Sequence, residues 1–172
     1  MELLIPGLVL VALMVYVSTK IKKSAARAYE SETIDTPEFS IVKPEGFIIP
    51  ADHGEELVFA AYSKEYGYDQ ADAVRQASAE IRAFDGANFD DICEQAKIGS
   101  ARIVSEDIGI LNEAKCGIIK TEKIDNGVVL DTVHKIMAGD GKVYELTVSV
   151  LPEHKAEYSR KIDQLLDSFI LK

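Results

Sequence analysis

"GDGKVYELTVSVLPEHKAEYSRKIDQLLDSF" (residues 139–169) decides the fold. Gly139-Asp140-Gly141 is a turn signal, because such residues accept the backbone angles a tight hairpin needs. The run that follows alternates: Tyr144, Leu146, Val148 and Val150 share one face of a strand. A three-residue loop at 139–141 sets Ile136 against Tyr144, His134 against Leu146, Thr132 against Val148 and Leu130 against Val150. A two-residue loop slips the pairing by one and turns each of these side chains to the other face. The alternation therefore predicts the three-residue loop, with Gly141 in the left-handed bulge position. Pro152 then opens a helix where its missing N–H does no harm. Tyr158, Ile162, Leu165 and Phe169 recur at helical spacing, so one helix face packs on the sheet.

Upstream, Asn126-Gly127 lies between two β-rich runs and predicts a type I′ hairpin. "NFDDICEQAK" (88–97) reads as a short helix capped by Asn88 or Asp90, with Phe89, Ile92, Cys93 and Ala96 on one face. Residues 69–85 fit either a helix face (Val74, Ala77, Ser78, Ile81) or an alternating strand (Ala77, Ala79, Ile81, Ala83). "EFSIV" and "GFII", stopped by Pro44 and Pro50, are short strands, and Glu56–Gly67 is a longer β run. The resulting expectation is an α+β fold: an α/β/α sandwich around a mainly antiparallel sheet.

Several of these segments resemble the Mog1/PsbP-like superfamily. The similar stretches are "GKVYELTVSV" (141–150), "PEHKAEYSRKIDQLLDSF" (152–169), the terminal "ILK", "FSIVKPEGF" (39–47) and "AKCGIIKTEKIDNG" (114–127). The resemblance implies a helical turn to about Arg75 and a strand from Gln76 to Phe84. It also implies a protein-binding role without a shared catalytic motif, hence a non-enzyme with no cofactor.

The chain begins differently. "LLIPGLVLVALMVYVSTKIKK" (3–23) is apolar on every face up to Val17 and ends in lysines. As a helix, Leu3–Val17 covers about 22 Å, and flanking residues with snorkelling lysines extend it to bilayer thickness. Only Glu2 and the terminal amine precede the apolar run, whereas a cleavable signal peptide needs positive charge there. An uncleaved single-pass anchor is therefore expected. Lys20, Lys22, Lys23 and Arg27 follow it, and positive flanks stay in the cytoplasm, so the N-terminus points out and the domain in. The expected division is an anchor helix with a basic extension over 1–29, a linker over 30–37 and a folded domain over 38–172.

The net charge is −10. The first 28 residues carry +3, leaving 15 basic against 28 acidic residues beyond them, a net of −13. So acidic a body is repelled by phosphate backbones, which disfavours nucleic acid. The expected partners are the lipid bilayer and another protein, such as a membrane complex for which this chain is an accessory subunit.

No phosphate-binding, dinucleotide, zinc-protease, nucleophile-elbow, calcium-loop or CxxC motif occurs. Asp52, His53, Glu55 and Glu56 form half of a carboxylate-rich metal site at most, and a polar turn explains them as well. No metal site is expected. His134 faces Leu146 in the expected register, either as a half-buried core residue or as a working imidazole. Asp90 and Asp91 suit a helix N-terminus, and His154 an exposed first turn. Cys93 and Cys116 read as core thiols, with a single bridge left open. Tyr62, Tyr66 and Tyr68 cluster in sequence and are the candidate partner-binding residues, against the alternative of ordinary surface tyrosines. Two other functions stay open: a secreted or periplasmic ligand-binding protein with a cleaved first segment, and a membrane-proximal enzyme using His134 or His53.

Overall fold

The fold follows from a computed structural model, which describes residues 4–111 and 114–172, with side chains of the first helix described from Val11 onward except at 21 and 23–25. The chain opens with helix α1 (Leu4–Ala28). Strands β1 (Glu32–Asp35), β2 (Phe39–Lys43), β3 (Phe47–Ile48), β4 (Leu57–Ser63) and β5 (Ala77–Asp85) follow, then helix α2 (Phe89–Lys97). The second half holds β6 (Ser100–Leu111), β7 (Ala114–Asp125), β8 (Val128–Gly139), β9 (Lys142–Val150), helix α3 (Lys155–Ser168) and β10 (Ile170–Leu171). Seven strands form one antiparallel sheet in the order β3-β4-β5-β9-β8-β7-β6, and β1-β2-β10 form a second, small one.

The large sheet is covered on both faces, which makes three layers. On one face, Phe59, Ala79, Ile81, Leu146, Val148, Met137 and Cys116 meet Tyr158, Ile162 and Leu165 of α3 and Phe39 and Ile41 of the small sheet. Phe47 stands edge-on to Tyr158 with ring centroids 5.9 Å apart, and Phe39 packs on both Tyr144 and Phe169. On the other face, Phe89, Ile92 and Cys93 of α2 cover Ile119, Ile136 and Val143. That second layer spans only part of its face, because α2 has nine residues, about 14 Å of helix.

Much of this agrees with expectation. Asn126 (φ 50°) and Gly127 (φ 82°) close a two-residue turn between Asp125 and Val128, as the dipeptide predicts. Asn88 accepts from the Asp90 amide at 2.9 Å and caps α2. Residues 69–85 resolve as a short 3-10 turn at Asp69–Ala71 followed by β5. Pro152 opens a 3-10 turn that leads into α3, in which Tyr158, Ile162 and Leu165 are buried, as is Phe169 at its extended C-cap.

The register of the last hairpin does not agree. Gly139 pairs with Lys142, so the loop is Asp140-Gly141 alone, with positive φ at Gly141 (72°). Met137, not Ile136, faces Tyr144, and Lys135, not His134, lies beside Leu146. Alternation could not choose because both faces of the sheet are buried here: Ile136 is needed under α2 and Met137 under the small sheet. Lys135 enters the apolar face for a specific reason. Its Nζ donates to the carbonyls of Leu166 (2.6 Å) and Phe169 (2.9 Å), capping the C-terminal end of α3 with a positive charge. Burial lowers the pKa of this lysine.

The stretch expected as a linker carries structure: β1 lies within it and pairs with β2 from Glu32↔Lys43 to Asp35↔Ser40. A second buried lysine fastens the start of the domain. Lys43 Nζ donates to the carbonyls of Ala28 (2.9 Å), Glu30 (2.6 Å) and Phe47 (3.0 Å), and the Gly46 amide donates to Tyr29. The end of α1 is thus tied to β2 and β3. Among the described residues no helix is long and apolar enough to cross a membrane. The described apolar side chains of α1 run only from Val11 to Val17, about 10 Å of helix. The expected transmembrane span is not established on these residues.

Candidate functional site

Where α2 stops, its face of the sheet opens into a groove of about 670 Å³. Its floor is Tyr62 of β4, Ser78, Glu80 and Arg82 of β5, Glu145, Thr147 and Ser149 of β9, and Thr132 and His134 of β8. The walls come from Val74 and Arg75 before β5, Gln95 and Ala96 of α2, and Lys123, Asp125 and Asn126 at the β7–β8 turn. Strand alternation explains the polar floor: in "ASAEIRA" of β5 and "ELTVSV" of β9, every second residue goes to the core and the others come here.

The register that excluded His134 from the apolar face places it in this floor. It is 8% exposed. Nδ1 lies 2.8 Å from Glu145 Oε1 and 3.4 Å from Thr147 Oγ1, and Nε2 lies 3.5 Å from Thr121 Oγ1. Both ring nitrogens have partners on β9 and β7, which hold the imidazole between three strands. Position alone makes it a satisfied structural histidine bordering the groove. His53 does not line the groove, so the convergence of His53 and His134 that an enzyme would use is not formed. His53 Nδ1 is buried without a hydrogen-bond partner. Asp52 accepts from the Gly54 amide at 3.1 Å, the polar turn that its sequence suggested. Among the described residues no cluster of three or more His, Cys, Asp or Glu side chains is placed to hold a metal ion.

The three tyrosines have separate partners. Tyr62 donates to Glu80 Oε1 (3.2 Å), and burial together with that carboxylate raises its pKa. Tyr66 lies under the Arg75 guanidinium, 3.9 Å from the ring centroid, while that guanidinium also donates to the Ser63 and Lys64 carbonyls. Tyr68 is 71% exposed and tilts against His154, with centroids 5.9 Å apart. Only Tyr62 lines the groove. Lys20, Lys22 and Arg27 are exposed on α1, which also carries Lys23.

Cys93 and Cys116 are free and lie against opposite faces of the sheet, which rules out the bridge left open above. Burial, then Asp90 and Glu106, push the Cys93 thiol up to about 11; burial raises Cys116 as well. Neither is poised as a nucleophile.

A second surface was not singled out in the sequence. β6 is an edge strand, exposed along nearly its whole length. Ile103, Val104, Ile108 and Ile110 stand out to solvent there, Ile110 at 79%. Two register irregularities, between Ser100 and Arg102 and between Ile103 and Ser105, interrupt its first half.

No family model matches the chain, and no curated protein matches it. Solved structures do. The structure is similar to the PsbP protein of the cyanobacterium Synechocystis (CyanoP), with a TM-score of 0.57, 11% identity and coverage of 83% of this chain and 92% of that one. LpqN of Mycobacterium tuberculosis, described as involved in cell envelope biogenesis, gives 0.60 at 7% identity over 83% and 91%. A Pseudomonas aeruginosa protein of unknown function, PA94, gives 0.55 at 12% identity over 83% and 98%. At such identities the likeness is one of fold: this chain has the Mog1/PsbP-like fold.

Proposed function

We propose that the chain is a non-catalytic, membrane-anchored protein-binding module, an accessory subunit of a membrane protein complex. The observation that carries this reading is the exposure of α1: Val11, Leu13, Met14, Val15 and Tyr16 are each at least 60% exposed, with no domain surface against them. Apolar side chains all round one helix need lipid or another protein to cover them. In this reading residues 1–29 are the anchor, and 30–37, which carry β1 of the small sheet, join it to the domain over 38–172. The basic residues Lys20, Lys22, Lys23 and Arg27 hold the domain on the cytoplasmic side. The Lys43 contacts fasten the end of the helix to the domain, which keeps the domain close to the membrane surface in this reading. One of the similar structures, LpqN, is described as involved in cell envelope biogenesis, which agrees with a place at a membrane.

The experiment is carbonate extraction and protease protection of the C-terminally tagged chain in its native membranes, followed by gentle solubilisation and a native gel. Retention in the pellet, a tag protected in intact cells, and co-migration with a large complex are expected. Release by carbonate removes the anchor. A tag cleaved in intact cells reverses the orientation. Migration at monomer size removes the stable subunit.

A further inference from the structure

The groove holds a pattern that the protein-binding reading does not use. Strand register sets Tyr62 beside Ser78, Ser78 beside Ser149, Ser149 beside Thr132, and Thr132 beside Thr121. Five hydroxyl side chains therefore form one row across five adjacent strands, spaced by about 4.8 Å. A second row, two residues along the strands and about 7 Å away, sets Glu80 beside Thr147 and Thr147 beside His134. Each hydroxyl offers one donor and two acceptor sites. Thr121 and Thr132 are each 2% exposed and spend their hydroxyls inside the protein, on His134 and on Ser149 (3.2 Å), and Tyr62 gives its proton to Glu80, so what the groove presents is Ser78, the remaining sites of Tyr62 and Ser149, and Thr147 of the second row.

Charge narrows the ligand class. Glu56, Glu80, Asp125 and Glu145 line the groove against Arg75, Arg82 and Lys123. The Arg75 guanidinium is engaged by backbone carbonyls and the Tyr66 ring, and Arg82 lies 4.0 Å from Glu80. The set is close to balanced, so it concentrates neither anions nor cations. What it offers is a grid of neutral donors and acceptors with apolar edges at Val74, Phe84, Leu130 and Ile98. A sugar ring matches both parts, with hydroxyls at its rim and C–H groups on its faces. We propose that this groove is a saccharide-binding site for an uncharged sugar of one or two rings, held by the half-buried hydroxyls of Tyr62, Ser78, Ser149 and Thr147. About 670 Å³ falls within the range of small-molecule sites and accommodates two rings. The site stands independently of the membrane and partner assignments, since every residue in it belongs to the folded domain.

The test is NMR or calorimetric titration of the full chain with glucose, maltose and cellobiose, and with glucose 6-phosphate and glucosamine as charged counterparts. The detergent must be free of glycosides, for example an amine oxide. At least one neutral sugar is expected to bind saturably, with amide shifts in β5, β8 and β9. The double variant S78A/S149A removes two groove-facing hydroxyls while keeping the strand shape, and is expected to weaken binding about tenfold or more. S159A, a hydroxyl on exposed α3 surface, is expected to change nothing. Three results overturn the proposal: no saturable shift with any neutral sugar at about 50 mM, equal binding by S78A/S149A in a chain whose spectrum shows it folded, or preference for a charged counterpart. The first identifies the row as an ordinary solvated sheet face.

Discussion

Replacing Lys135 by methionine is expected to lower stability by about 3 kcal/mol. The reasoning starts from the two bonds its Nζ makes, 2.6 Å to the Leu166 carbonyl and 2.9 Å to that of Phe169, on a side chain only 4% exposed. Methionine leaves both carbonyls without this donor, at about 1–3 kcal/mol each. Against that, the lysine is held at some cost, since burial disfavours its charged form, and methionine returns about 1–2 kcal/mol of apolar contact. The difference is near 3 kcal/mol, a sizeable share of the roughly 5–15 kcal/mol that holds a folded domain. It corresponds to a melting temperature lower by about 6–12 °C in a chain of this length. The assay is urea unfolding followed by circular dichroism, with amide exchange as a local readout. The midpoint is expected to fall at constant slope, and exchange to quicken first in the last turn of α3. The substitution also separates the two hairpin registers. In the three-residue-loop register Lys135 points into the groove, and K135M is then neutral or stabilising. A change smaller than about 0.5 kcal/mol, or a gain, refutes both the capping role and the register argument built on it.

Three further outcomes can be checked on the same purified protein. Glu38 is held below the ordinary carboxylate range by its bond to Lys142 (2.7 Å) and by the nearby Tyr144 hydroxyl, so its contribution exists above its unfolded-state value and disappears as pH falls through the lowered one. The stability gap between the native chain and E38Q is therefore full at about pH 7 and closes toward about pH 2; a gap that widens on acidification contradicts this. With the Cys93 thiol at about 11 and Cys116 raised too, a thiol reagent at about pH 8 is expected to modify neither within minutes and both after denaturation. One fast thiol in the native protein would show a surface opening. Gly127→Ala places a side chain at φ 82° and is expected to cost about 1–2 kcal/mol in urea unfolding, whereas no loss would mean the turn is not type I′.

The amino-acid sequence determined what depends on neighbours along the chain. Asn126-Gly127 closes its hairpin because two adjacent residues tolerate positive φ, and nothing distant is needed. α2 starts at Asn88 and α3 after Pro152 for equally local reasons, and the apolar spacing of Tyr158, Ile162, Leu165 and Phe169 chose the buried face. Tertiary structure decided whatever required knowing what lies on the far side of a strand. β8 and β9 carry apolar residues on both faces near their hairpin, so alternation could not say whether Ile136 or Met137 meets Tyr144. Two distant elements settled it, α2 drawing Ile136 to one face and the carbonyls at the end of α3 drawing Lys135 to the other. The groove was invisible for the same reason. Tyr62, Ser78, Thr121, Thr132 and Ser149 are scattered over 88 positions, each an unremarkable polar residue on its own strand. Only the register of five strands aligns them into one row, and register is fixed by packing rather than by the local chain.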